Sequence, residues 1–190
     1  MKLIKNFTAL ASIVPNAWER GKKARTIVLT SVAVGGLVTA GLVYTVHATP
    51  SFNIVSSAVL ARASFLDPVD IKFKIDAGSQ EVIHVSGAQD TVMQQIIFGP
   101  GGHSGWHSHP GPAVAIVKAG ALALYDSEDP TCTPRIYFAG EAFVDHGQGH
   151  AHFAHNPSAT ENTEVWVTYF DVPPGTSPRL DEANPGNCGF

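Results

Sequence analysis

Cysteine is scarce, two in 190 residues, which excludes a disulfide-dense small fold or a four-cysteine zinc site and leaves one disulfide or one thiol of interest. Charge is sparse too, at 15% of residues, and beyond residue 48 positive charge is rarer still. Six of the twelve Lys and Arg (Lys2, Lys5, Arg20, Lys22, Lys23 and Arg25) precede that point against the single Glu19, so the remainder holds six basic and fifteen acidic residues, a balance of −9. Phosphate backbones are repelled by such a region, which argues for no nucleic acid as partner. Apolar residues are plentiful, at 44% hydrophobic. That suffices for one sizeable core and excludes intrinsic disorder.

Residues 27–46 carry no charge, a length able to cross a bilayer as a helix. The basic cluster before them predicts that the N-terminus stays in the cytoplasm and that everything after His47 crosses. Val46-His47-Ala48 offers small residues at the −3 and −1 positions of a signal-peptidase site, so an uncleaved signal anchor and a signal peptide cleaved after Ala48 both remain open. The acidic region is expected to be extracytoplasmic, either membrane-anchored or secreted. The chain accordingly divides into a basic head (1–26), a transmembrane or signal segment (27–46), a tether passing into an outer strand (47–64) and one domain with a C-terminal tail (65–190).

Beyond Pro50 no helical period of useful length occurs. Short runs rich in Val, Ile, Phe, Thr and Tyr alternate instead with Gly, Pro, Asp and Asn, the texture of an all-β barrel or sandwich. Strands are predicted at 69–75, 81–85, 91–98, 113–117, 121–125, 135–138, 141–144, 151–154 and 164–172. Lys118-Ala119-Gly120 reads as a hairpin turn, residues 126–134 as a longer surface loop, and Gly99-Pro100-Gly101-Gly102 as a tight turn rather than a phosphate cradle, since no Lys-Ser/Thr follows it.

Seven of the nine histidines fall between His103 and His155, mainly as His107-Ser108-His109 and His150-Ala151-His152. On a strand, residues two apart share a face, so each His-x-His pair offers two imidazoles to one metal ion. Histidines satisfying one another on a surface loop are the plainer alternative. His155 has the opposite parity from His152 and is expected to point away; His103 is read as lining a mouth or simply exposed.

The run from Gly101 to Pro112 (GGHSGWHSHPGP), followed by Gly120, resembles the first motif of the cupins; Gly140, then Gly149, His152 and Asn156, resembles the second. The resemblance extends over roughly residues 65–175. It implies a small jelly-roll (double-stranded β-helix) barrel with inward-pointing motif residues that bind a divalent metal such as iron, manganese, nickel or zinc. Carried over position by position, the ligands are His107, His109 and His152. Two departures stand out: Ala113 occupies the place of the motif's glutamate, and Gly147 that of a proline in the second motif. Gln94 and His150 are the nearest candidates to compensate, and Trp106 beside His107 is read as packing at the barrel lip or as a further cavity residue.

Cys132 and Cys188 sit in the long loop and the tail, where a disulfide would pin the tail in an oxidising compartment. Taken together these features predict metal-dependent chemistry on a small molecule, with three-histidine dioxygenation its most specific form. A non-catalytic module binding a metal or small ligand, and a purely structural barrel, are the rivals. The catalytic residues and the oligomeric state, a homodimer included, stay open at this stage.

Overall fold

The computed structural model describes residues 48–76 and 80–190. The expected basic head and the transmembrane or signal segment lie outside the described residues, as does most of the expected cleavage site. Among the described residues no helix is long and apolar enough to cross a membrane; every element is a strand, as the sequence texture predicts.

Eleven strands follow in order: β1 (Phe52–Ser64), β2 (Ile71–Asp76), β3 (Gln80–Val85), β4 (Asp90–Ser108), β5 (Ala113–Ala119), β6 (Ala121–Asp126), β7 (Arg135–Phe138), β8 (Ala142–Asp145), β9 (His152–His155), β10 (Thr163–Val172) and β11 (Leu180–Asp181). Each of the nine predicted strands overlaps an observed one. The main sheet runs β7-β6-β9-β4-β10-β5-β8, with β1 and β11 also paired to β4, while β2 and β3 form a separate two-stranded sheet. β7 comes back against β5, so the sheet is a nearly closed barrel. Its core holds Val92, Phe98, Val117, Leu122, Val165 and Val172 among others, all nearly inaccessible.

Residues 52–64 form an outer strand, β1, which pairs antiparallel along β4 from Phe52↔His103 to Ser64↔Asp90. Two expectations need correction. Gly120 does not make a hairpin, because β5 pairs with β8 and β10 whereas β6 pairs with β7 and β9. A short link between two apolar runs looks the same in sequence whether the second strand returns beside the first or turns a barrel corner.

The second concerns Gly99–Gly102, which lies within β4 rather than at a turn. Gly101 and Gly105 take left-handed backbone conformations (φ +65° and +70°), and the pairing with β9 slips between His103 and Trp106. Such bulges re-aim a strand without reversing it. The one at Gly105 switches parity: Val92, Gln94, Ile96, Phe98 and Ser104 line the interior at even positions, His107 and His109 at odd ones. Gly105 also packs so tightly against the Thr49 carbonyl that a Cβ would collide with it.

Candidate metal centre

β4 and β9 bring three imidazoles to one spot. His107 pairs with His152 across the two strands, His109 follows two residues on, and one ring nitrogen from each lies within 4.8 Å of the others. All three residues are buried, with exposures of 7%, 4% and 5% for His107, His109 and His152. Metal–imidazole bonds of about 2.1 Å hold donors at most about 4.2 Å apart, so closure on an ion asks only small ring movements.

Each Nδ1 already has a partner. That of His107 lies 3.0 Å from the Gly105 carbonyl and that of His109 2.7 Å from the Pro178 carbonyl. In His152 it lies 2.9 Å from Oδ2 of Asp145, close enough for a charge contact although not aligned as a linear hydrogen bond. A carbonyl can only accept, so the proton of His107 and of His109 sits on Nδ1 and the Nε2 lone pair is left to bind. Burial, reinforced by the neighbouring His152, holds His109 down to about 4 and His107 well below its ordinary 6.5. Both rings stay neutral at pH 7, the form a metal requires. This donor set fits a divalent ion.

Asp145, which sequence reasoning missed, connects the two departures from the cupin motif. It ends β8 directly opposite Ala113 and is 7% exposed. Burial pushes its carboxyl up, but the adjacent His152 ring and the Gly147 amide outweigh this and hold it below the usual carboxylate range. Gly147 donates its N–H to Oδ1 at 2.8 Å and has φ +63°, a conformation proline cannot take and an N–H it does not have. Its Cα also abuts the Gly111 carbonyl, where a Cβ would collide. A carboxylate is therefore present beside Ala113, supplied from the next strand and orienting His152 from behind.

Of the further candidates, Gln94 lines the cavity, its amide nitrogen donating to Ser57 Oγ at 2.8 Å. His150 does not. Gly149 takes φ +86° and β9 begins only at His152, so strand parity fails between 150 and 152, and His150 instead lies 3.1 Å from Asp126 at the end of β6. Trp106 is also outside the cavity; the bulge at Gly105 turns it onto the outer face, fully buried against Phe153 and Cys188. His103 stacks between Phe52 and Phe153, and His155 lies off the cavity lining. Asn156 is structural, its amide donating to the Gly99 and Glu161 carbonyls at 2.8 Å each.

The C-terminal segment is more than a tail. β11 pairs with Ser108 and His107, Glu182 accepts from Ser108 Oγ at 2.6 Å and donates its amide to the Trp106 carbonyl, and Cys188 is disulfide-bonded to Cys132. This strap delivers the Pro178 carbonyl to His109.

Neither a family model nor a curated protein matches the chain. Among solved structures it is similar to an oxalate oxidase, at 28% identity over 43% of this chain and 42% of that one, with a TM-score of 0.37. It is also similar to a cupin-2 domain protein from Shewanella frigidimarina (20% identity, 41% of this chain and 68% of that one, TM-score 0.33) and a cupin-like protein from Thermotoga maritima (22%, 50% and 65%, TM-score 0.39). The match spans less than half of the oxalate oxidase. The described residues form an all-β barrel.

Proposed function

We propose that the protein is an extracytoplasmic cupin that holds one divalent metal ion on His107, His109 and His152 and uses it on a small organic molecule. The observation that carries this reading is the convergence of three buried imidazoles whose Nδ1 atoms are occupied by Gly105, Pro178 and Asp145. When bound, the ion supplies Lewis acidity toward a chelating enol or carboxylate and, if it is iron, a route to dioxygenation. The chain's own part is to hold His107 and His109 neutral and oriented, to fix His152 through Asp145, and to limit bulk water with largely apolar walls. The disulfide between Cys132 and Cys188 supports an oxidising, extracytoplasmic location.

A second reading, binding without turnover, is favoured by one feature. Asp145 is the carboxylate at this end of the cavity and is already engaged by His152 and Gly147, so it is not free to act as a general base. Two measurements on the full-length chain test both readings. Purified protein should retain about one divalent ion per chain, and His107→Ala with His109→Ala should lose it entirely; full occupancy in that double variant overturns the site. Oxygen uptake by the iron-loaded protein in a screen of small enols and carboxylates separates an oxygenase from a binding module.

A further inference from the structure

The histidines close one end of a cavity of about 490 Å³, within the size range of small-molecule sites. Val92, Ile96 and Phe98 of β4, Leu122 and Leu124 of β6 and Phe143 of β8 wall it. These side chains offer a ligand no hydrogen bonds, so polar recognition must come from elsewhere.

Two side chains at the histidine end supply it. Tyr169 is only 3% exposed, lines the cavity and sits 4.7 Å, ring to ring, from His109. Opposite Ala113 in the register of β10 and β5, its hydroxyl has no hydrogen-bond partner among the described residues. Buried phenols normally find one, and here the open side is the cavity. Arg179 is on the rim, next to the Pro178 carbonyl that anchors His109. Asp181 takes its Nε at 2.7 Å, and its two terminal nitrogens have no partner among the described residues. Arg62, the other arginine lining the cavity, differs: it spends its nitrogens on Asp90, Thr176 and Pro173 and is structural.

We propose that this cavity takes an amphiphilic organic monoanion. Its carboxylate lies between the histidine end and Arg179 and accepts a hydrogen bond from the Tyr169 hydroxyl, while an apolar chain or ring fills the space among Val92, Ile96, Phe98 and Leu122. The assignment rests on the metal reading above for the inner half of the head site and on Arg179 and Tyr169 for the outer half. Away from Arg179 the lining is mainly apolar, with Gln94, Ser57 and Ser104 among its uncharged polar members and the buried Asp145 carboxylate beside the histidines, so a second anionic group is disfavoured.

The test is calorimetric titration of the zinc-loaded full-length chain with straight-chain carboxylates from butanoate to decanoate, the alcohols of equal length, and inorganic phosphate. Affinity should rise about fourfold per added CH₂ until the cavity is full. Alcohols should bind at least about tenfold more weakly than their carboxylates. Arg179→Gln should remove most of that preference while leaving alcohol binding unchanged, with Arg179→Lys partly restoring it. Tyr169→Phe should weaken carboxylates severalfold without altering the chain-length slope. Affinity independent of chain length, phosphate binding more tightly than octanoate, or an unchanged preference in Arg179→Gln each overturns the proposal. Zinc counted in the same samples separates the two readings. Retained zinc without carboxylate binding sinks this inference alone; carboxylate binding with the same slope and Arg179 dependence in a protein that holds no zinc sinks the metal reading and leaves the cavity assignment standing.

Discussion

Residues 90–98 of β4 and residues 103–108 of the same strand run through one barrel wall, yet their conformations are secured by different forces. The first stretch lies between β1 and β10 and alternates apolar residues toward the interior. Burial is enough there, because hydrophobic packing is non-directional and tolerates swaps of similar volume. The second stretch lies between β9 and β11 and turns His107 inward to meet His109 and His152. These three rings depend on single contacts with Gly105, Pro178 and Asp145, and on a strap tied down by a disulfide. Directional contacts of this kind do not average out when one is lost. The apolar half should therefore forgive substitution and the histidine half should not.

The largest expected effect comes from releasing the strap. Cys132 and Cys188 are 56 residues apart, and opening a loop of that size costs about 4 kcal/mol in the chain-entropy description. Cys132→Ser should unfold at lower denaturant than the parent when both are prepared under oxidising conditions, and the two should coincide in reductant. Coincident curves without reductant would remove the disulfide from the comparison.

Acid should strike the same half next. The folded state holds His109 at about 4 against an ordinary 6.5, so the unfolded chain takes up the proton first as pH falls. Stability of the metal-free protein should be level above about pH 7 and drop through the window from 6.5 to 4, by about 3 kcal/mol from His109 alone. His107 adds in the same direction. Asp145, held below its ordinary 3.8, adds a further loss only at more acid pH. Urea midpoints that stay level between pH 7 and 4.5 would show that the rings are not buried neutral.

A smaller loss is expected from Asp145→Asn, which keeps the shape but weakens the grip on His152. Zinc affinity should fall about 10- to 100-fold, as for other residues that orient a metal-bound histidine, with the unfolding midpoint nearly unchanged. An unaltered zinc affinity would make Asp145 a bystander. Least of all should come from Ile96→Val in the apolar half, about 1 kcal/mol of stability and no change in zinc binding; a loss of zinc there would break the contrast between the two halves of β4.

Much of this was legible in the residues. Runs of β-branched and aromatic residues located nine strands, and the two His-x-His pairs pointed to the three imidazoles that the fold brings together. What stayed hidden was set by backbone detail or by distance along the chain. One bulge at Gly105 reverses inward parity, so Trp106 could not be separated from the cavity by counting twos. The positive φ at Gly149 did the same to His150. Asp145 looks like an ordinary turn residue until β8 is placed against Ala113, and Tyr169 like one more aromatic in a strand until its hydroxyl faces the cavity. The Pro178 carbonyl has no sequence signal at all, since it is a backbone group 69 residues from the ring it holds.

X-ray absorption at the zinc edge of the loaded full-length chain tests the central claim most directly. Three buried, converging imidazoles predict three histidine nitrogens at about 2.0–2.1 Å together with a lighter non-protein ligand, and a spectrum that loses its imidazole scattering in the His107→Ala, His109→Ala double variant. A parent spectrum with fewer than two imidazoles, or one that the double variant leaves unchanged, would contradict it.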